Sequence, residues 1–146
     1  MMAKKETKKE EGLLIEKGIP ADITKKVGLL SVRLEKLNAQ IIETDNQVFA
    51  HKVKQDWSYN IKKLDEKYLI LVANCKVNFM PEAYYEINLS YSIVYRIHEA
   101  ITMEEVEKKI PRLLDPCSDV NSLLVAQISD KIVDSPLIIP PVVTLT

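Results

Sequence analysis

Glycine, cysteine and long apolar runs are scarce in this chain of 146 residues. All three glycines precede residue 29, which excludes a phosphate-cradling glycine loop in the rest of the chain. The two cysteines, Cys75 and Cys117, stand in apolar surroundings, which favours reduced thiols in the cytoplasm. No apolar run reaches the roughly 18 residues of a membrane helix, and the N-terminus lacks the apolar core of a signal peptide. We therefore expect a soluble protein without a membrane span.

Catalytic constellations are also missing. His51 and His98 lie far apart, and neither has a cysteine or carboxylate at metal-ligand spacing. Glu99 follows His98, but neighbouring residues of a strand face opposite sides. Cys117 follows Pro116 near a predicted helix N-terminus, yet no base is close in sequence to activate it. We predict no enzyme, no metal and no cofactor, and the net charge of −1 gives no reason to expect nucleic acid.

The chain is organised around one alternating stretch, Tyr84 to His98. Its apolar side chains occupy every second position, with mostly polar residues between them: Tyr85, Ile87, Leu89, Tyr91, Ile93, Tyr95 and Ile97. This period of two predicts a long strand with one apolar face. A strand so long and aromatic needs a broad partner surface, within the chain, in a second copy or in another protein.

Three more strands are predicted before it. Leu29 to Glu43 forms the first, and the apolar phase changes near Lys36, which indicates a β-bulge. Gln47 to Leu64 is expected to be an extended crossing segment followed by a second strand. Lys67 to Met80 forms the third strand, and Pro81-Glu82 closes a hairpin into the long one. The pattern predicts an antiparallel sheet.

A helical period follows the strands. Thr102 and Glu105 fit a capping box, and Pro111 should end or kink this first helix. Asp115 is expected to cap a second helix that has Pro116 at its first position. The stripe of that helix expected to pack on the sheet is Val120, Leu124, Ile128 and Ile132. The final stretch, 137–143, is extended and apolar, and its two prolines exclude a central strand.

Together these elements predict an α+β fold in which a four-stranded antiparallel sheet packs on C-terminal helices. Residues 1–28 are expected to form a charged N-terminal tail that can include a short helix, and residues 29–146 the folded domain. Several apolar side chains exceed what two layers obviously hide, although each alone could fill the core: Phe49, Trp57, Tyr59, Ile61 and Phe79. Together they suit a subunit interface or an open groove for apolar peptides.

The order of these elements resembles the SecB family of export chaperones. The residues that carry the resemblance are Val48-Phe49, Gln55-Asp56-Trp57 in the crossing segment, the helix Val120 to Val133 and the tail Ser135 to Val142. It spans Leu30 to Val143 and rests on the order of elements, not on one motif. Three usual features of the family are absent: a glycine bend in the last strand, a Pro-Tyr pair opening the long helix, and an acidic C-terminal tail.

The resemblance implies an ATP-independent chaperone that holds unfolded polypeptides in extended form, for protein export or beside a toxin–antitoxin system. It also implies a cytoplasmic homotetramer, a dimer of dimers, with the long helix and the first strand in its interfaces. The client-binding residues expected from it are Phe49, Trp57, Tyr59, Ile61, Ile128, Leu137 and Ile139. Glu86 on the last strand could mimic the acidic sheet contact with the SecA motor.

Two alternatives remain open at this point. The chain could bind one fixed partner, such as an antitoxin, without general client binding. It could instead be an enzyme with a ligand pocket, which would require a deep closed pocket lined by His98 or Cys117.

Overall fold

The computed structural model of the protein describes residues 23–44 and 50–145. The strands in this part are β1 (Val27–Ile41), β2 (Lys52–Leu64), β3 (Tyr68–Met80) and β4 (Tyr85–Ile97). They form one antiparallel sheet in the order β1-β4-β3-β2, so that β1 and β2 are its edges. The helices that follow are α1 (Met103–Lys108), α2 (Ile110–Leu114) and α3 (Ser118–Val133). The predicted α+β fold with C-terminal helices is confirmed.

The core lies between one face of the sheet and the helices. The alternating apolar residues of β4, from Tyr85 to Tyr95, are all buried, and so are those of β3, from Leu69 to Phe79. We call the side of the sheet that carries them the helix side, and the opposite side the outer face. Successive side chains alternate between these sides, so the polar residues between the buried ones point away from the helices.

The predicted bulge in β1 is confirmed. The pairing of β1 with β4 shifts between Leu34 and Lys36, which leaves Glu35 as the extra residue. Leu34 lies opposite Tyr91 and Leu37 opposite Leu89, both of which are buried on the helix side. Because of the extra residue, Leu34 and Leu37 lie on the same side of the sheet, although an odd number of positions separates them. A second shift lies between Leu29 and Ser31.

The helix starts agree with the sequence at one position and differ at another. The capping box of α1 is confirmed, because Thr102 Oγ1 accepts from the Glu105 amide at 3.1 Å and Glu105 Oε1 accepts from the Thr102 amide at 3.0 Å. The helix also ends before Pro111, as predicted. The prediction that Asp115 caps the long helix was wrong. Asp115 begins a 3-10 turn, Asp115–Cys117, and α3 starts at Ser118 without a side-chain cap.

The side that α3 turns to the sheet also differs from the prediction. Its buried residues are Ser118, Asn121, Val125 and Ser129. Leu124, Ile128 and Ile132 are only partly buried, and Val120 is exposed. The buried stripe is small and polar because Asn121 bonds the sheet: Tyr91 Oη donates to Asn121 Oδ1 at 2.7 Å, and Asn121 Nδ2 donates to Cys75 Sγ at 3.4 Å. Most of the predicted stripe therefore packs at the border of the core, and only Val120 faces away from it.

Several N-terminal predictions lie partly outside the described residues. Residues 1–22, including the charged tail, are not described, nor are Val48 and Phe49 of the crossing segment. In the described part, Ile23–Lys25 forms a 3-10 turn and β1 begins at Val27, two residues before the predicted start. Gln55, Asp56 and Trp57, which we expected in the crossing segment, lie inside β2. None of the described helices is long and apolar enough to cross a membrane.

Candidate polypeptide-binding site

The C-terminal tail, residues 134–145, lies along the helix side of edge strand β2. Asp134 ends α3 in a left-handed conformation, with φ 54°, and turns the chain back towards the sheet. The tail ends in an isolated parallel β-bridge between Leu145 and Trp57. The chain therefore places an extended apolar segment of its own against the sheet edge, as a bound peptide would lie in strand addition.

Two hydroxyl groups of α3 hold the first half of this tail. Ser129 Oγ accepts from the Leu137 amide at 2.7 Å and donates to the Val125 carbonyl at 2.7 Å. Ser122 Oγ donates to the Ile139 carbonyl at 2.7 Å. Ile139 is 3% exposed and belongs to the core, whereas Val143 and Leu145 are only partly buried. The tail is thus anchored firmly up to Ile139 and loosely beyond it.

Trp57 lies beneath the end of the tail. It is 3% exposed and stacks on Tyr91, with ring centroids 6.4 Å apart. Its indole Nε1 is a buried donor without an acceptor among the described residues. An unpaired buried donor costs free energy, so this position favours a carbonyl supplied by another group. Of the two alternatives that the sequence left open for Trp57, surplus surface or core, the structure shows the second, because the ring is part of the core.

An aromatic pocket opens where the tail begins. It encloses about 280 Å³, and its lining includes Phe79, Tyr84, Tyr85, Pro136 and Leu137. Phe79 contacts both tyrosines edge to face, at centroid distances of 5.0 and 5.1 Å. Tyr84 is half exposed and has φ 60°, a conformation that side-chain-bearing residues adopt at a cost and that is concentrated at functional positions.

The predicted client-binding residues fall into two groups. Leu137 lines the aromatic pocket, Ile139 and Trp57 lie along the tail, and Tyr59 and Ile61 continue the same side of β2 past the bridge to Leu145. Tyr59 and Ile61 are partly buried. These five residues therefore follow one track. We call this track the tail groove; it consists of the aromatic pocket and the helix side of β2, and the tail lies in it.

Ile128 does not belong to the tail groove. Successive residues of an α-helix are rotated by about 100°, which places Ile128 roughly 120° from Ser122 and on the flank of α3 away from the tail. Phe49 lies outside the described residues, so its role stays a prediction. The sequence analysis missed Tyr84 and Tyr85 as pocket residues. Their position directly after the Pro81-Glu82 turn was the available signal.

A second apolar surface is left uncovered on the helix side of β1. Its members pair with buried residues of β4, and they are Leu29, Leu34, Leu37 and Ile41; Val120 and Leu123 are exposed separately, on the solvent side of α3. Leu37 is 46% exposed, Ile41 63% and Leu123 60%. Exposed apolar side chains grouped in this way are typical of an interface.

Glu86 and the two cysteines, the acidic and nucleophilic candidates, are in environments that do not favour reactivity. Glu86 is partly buried on the outer face, where Lys76 Nζ lies 3.5 Å away and Asn88 Nδ2 donates to it at 3.0 Å. Its motor-contact role stays a prediction. Both cysteines are free, and burial raises the pKa of Cys75 to about 11 and that of Cys117 to about 12. At neutral pH both are therefore thiols rather than nucleophilic thiolates.

The cavity that contains His98 is open rather than closed. It measures about 480 Å³, and exposed carboxylates of Asp65, Glu66 and Glu99 line it with the imidazole. No serine, threonine or cysteine is among its lining residues. In the described part of the chain, no three His, Cys, Asp or Glu side chains are grouped to hold a metal ion.

No protein-family model and no curated protein matches the sequence. Among solved structures, the chain is similar to a SecB-like chaperone of Mycobacterium tuberculosis in complex with a ChAD peptide from the HigA1 antitoxin. The TM-score is 0.69 at 10% sequence identity, over 81% of this chain and 92% of that one. The predicted SecB-like fold is thereby confirmed. A protein of unknown function from Streptococcus agalactiae matches with a TM-score of 0.49 at 13% identity, over 79% and 97% of the two chains, and supports no argument.

Proposed function

We propose that this protein is a SecB-like chaperone that holds extended apolar segments of non-native polypeptides in the tail groove. The observation that carries the proposal is the chain's own tail, which occupies the groove as an extended segment and bridges Trp57. Apolar contact and a few backbone hydrogen bonds suffice for such binding, so the protein acts without ATP and as a binding protein rather than an enzyme.

Client binding in the tail groove replaces the loosely held end of the tail. Residues 140–145 leave, while Leu137 and Ile139 stay anchored by the hydroxyls of Ser129 and Ser122. An extended client then pairs with the edge of β2 and lays apolar side chains on Tyr59 and Ile61. One of its carbonyl oxygens accepts a hydrogen bond from the Trp57 indole N–H, which satisfies the buried donor.

The proposed assembly is a dimer of dimers in the cytoplasm. The uncovered apolar residues lie on the strand and the helix that the resemblance assigns to the interfaces, β1 and α3. A free edge strand of 15 residues with exposed leucines requires a partner, because unpaired edges and apolar patches otherwise cause aggregation. A second copy of β1 supplies that partner, and the tail groove at the other edge stays open.

A second candidate function is the stabilisation of one fixed partner, such as an antitoxin. The observation that favours it is the fold neighbour whose structure contains a peptide from an antitoxin.

A role in protein export through the SecA motor depends on Glu86. The salt bridge to Lys76 weakens this role, because the carboxylate already has a cationic partner.

Suppression of aggregation separates the two functions. Several unrelated unfolded proteins are diluted into buffer with the chaperone, and light scattering is recorded. A general chaperone suppresses scattering for most of them, whereas a dedicated protein binds one partner and suppresses none of the unrelated proteins. The tested variant is Tyr59→Ser, and its matched control is Asn60→Ser, the neighbouring residue on the outer face. Equal suppression by both variants, with both folded by circular dichroism, would remove the groove from the proposal.

A further inference from the structure

The outer face of the sheet carries an excess of positive charge. The residues on this face pair across the strands in register with one another, and its cations are Arg33, Lys36, Lys52, Lys54, Lys63, Lys76 and Arg96. Against them stand four carboxylates: Asp56 and Glu86 on the same face, and Glu35 and Asp65, which pair with Arg33 and Lys63. The helical half of the chain has the opposite balance: residues 99–134 contain eight carboxylates and four cations. The net charge of −1 therefore hides a separation of charge between the two layers.

The arrangement of these cations is that of a trough with two basic rims. Arg33 and Lys36 stand on edge strand β1, and Lys54 and Lys63 stand on edge strand β2. On β3 and β4, the half of the face towards the β3–β4 turn is floored by short polar side chains, Asn74, Asn88, Ser90 and Ser92, and the other half by Ile70, Val72 and Val94. A depression of about 390 Å³ lies in this floor, and Asp56, Ser58 and Lys76 also line it. The rims are three strand spacings apart, or about 14 Å, which admits one extended chain.

Part of the positive charge of this face is free of competing carboxylates. Lys36, Lys52 and Arg96 have no ion pair within 4.0 Å among the described residues, as the ion pairs on this face involve other cations. Those pairs lie at 3.3–3.8 Å and keep at least one partner exposed, a geometry in which an ion pair holds its partners weakly. An incoming carboxylate can therefore compete for the cations on either rim.

We propose that the outer face of the sheet docks an acidic, extended segment of another polypeptide. Carboxylates on alternate residues of an extended chain are about 7 Å apart, which is also the spacing of successive outward side chains along a strand. They reach the rim cations while the amide and hydroxyl groups of the floor bond the segment's backbone. The proposal does not depend on the tail groove, which lies on the opposite side of the sheet.

The chemistry of the face favours a polypeptide over a nucleic acid. Binding of single-stranded nucleic acid without base pairing relies on aromatic side chains that stack on the bases. Tyr68 is the aromatic residue that the described strands place on this face, and it is partly buried at one end, away from the depression. The floor offers hydrogen-bond donors and acceptors instead, which suit peptide groups.

Fluorescence anisotropy with a labelled peptide in which glutamate alternates with serine tests the proposal. We expect binding at low salt that weakens as salt rises, and no binding of the peptide with glutamine in place of glutamate. The double variant Lys36→Glu/Lys54→Glu should weaken binding by about tenfold or more. The control Lys109→Glu/Lys131→Glu makes the same change in net charge on the helical layer and should bind like the unmodified protein.

Three results would overturn the proposal. The first is no binding of the glutamate peptide, and the second is an equal loss in both double variants, which would reduce the effect to net charge. The third is tighter binding of a labelled oligothymidylate that the Lys36→Glu/Lys54→Glu variant abolishes, because the partner would then be a nucleic acid. Aggregation suppression, which reports on the tail groove, should be unchanged in both variants, so failure of this proposal and failure of the proposed function are distinguishable.

Discussion

Truncation of the chain after Pro141 tests whether the tail competes with clients for the groove. The truncation removes the bridge between Leu145 and Trp57 and the contacts of Val143, but keeps Ile139 and its hydrogen bond to Ser122. The core anchor of the tail thus stays in place while the loosely held end is lost.

The magnitude follows from the burial of the two removed side chains. Full burial of a valine or leucine side chain contributes about 1.5–3 kcal/mol, so the partly buried Val143 and Leu145 together contribute roughly 2–5 kcal/mol before any ordering cost. The entropy of ordering the segment, about 1–2 kcal/mol per residue, offsets most of this contribution and leaves a net value of about 2 kcal/mol or less. Since about 1.4 kcal/mol corresponds to a tenfold change, client affinity should rise by no more than about thirtyfold.

The assay is fluorescence anisotropy with a labelled, unfolded apolar peptide, together with thermal unfolding of the free protein. We expect the truncated protein to bind more tightly and its melting temperature to fall by only a few degrees. A synthetic peptide of residues 136–145 added in trans should compete with the client. Weaker client binding after truncation would refute the reasoning, because the tail would then be part of the client site. Unchanged binding would equally show that the tail and the client do not share the groove.

Three other perturbations follow from the structure. Leu37→Asp should lower the oligomeric state in sedimentation velocity, whereas Asn38→Asp, on the outer face of the same strand, should not; an unchanged assembly in both would place the interface elsewhere. Thr102→Ala removes the α1 cap and should cost about 0.5–2 kcal/mol of unfolding free energy in urea titration, while Thr102→Ser should retain most of it. Because Lys26 lowers the pKa of Glu105, the pair stabilises the fold at neutral pH, and this contribution disappears as the pH falls below the ordinary glutamate pKa of 4.5. Glu105→Gln should therefore make the loss of stability between neutral and acid pH less steep. An unchanged dependence of the unfolding free energy on pH would contradict this.

Alternation of side chains made the sheet predictable from the sequence. In β3 and β4 every apolar position that the alternation marked is buried or partly buried, because both strands are central and only one of their faces meets the helices. The bulge near Lys36 was also predictable, since a change of apolar phase within a strand requires an extra residue. The capping box of α1 was local, and local hydrogen bonds can be read from residue types.

The orientation of α3 could not be read in the same way. Its apolar residues predict that Leu124 and Ile128 form the centre of the contact, yet Asn121 and Ser129 are the fully buried ones, because Asn121 accepts from Tyr91 of the sheet and Ser129 accepts from Leu137 of the tail. Periodicity reports which side of a helix avoids water, and it cannot tell the helix's own sheet from a second copy of the chain. The burial of Trp57 is a similar case, since its cover is the tail, 88 residues later in the chain.

The bulge at Glu35 decides on which side of the sheet the second half of β1 presents its apolar residues. Deletion of that single residue would turn Leu37, Ala39 and Ile41 by half a revolution, out among the lysines and arginines, and would bring Lys36 and Asn38 to the helix side. The apolar strip along β1 thus depends on the number of residues between its leucines as well as on their identity. Loss of one codon would therefore abolish the proposed contact between copies along β1, with every leucine still in place.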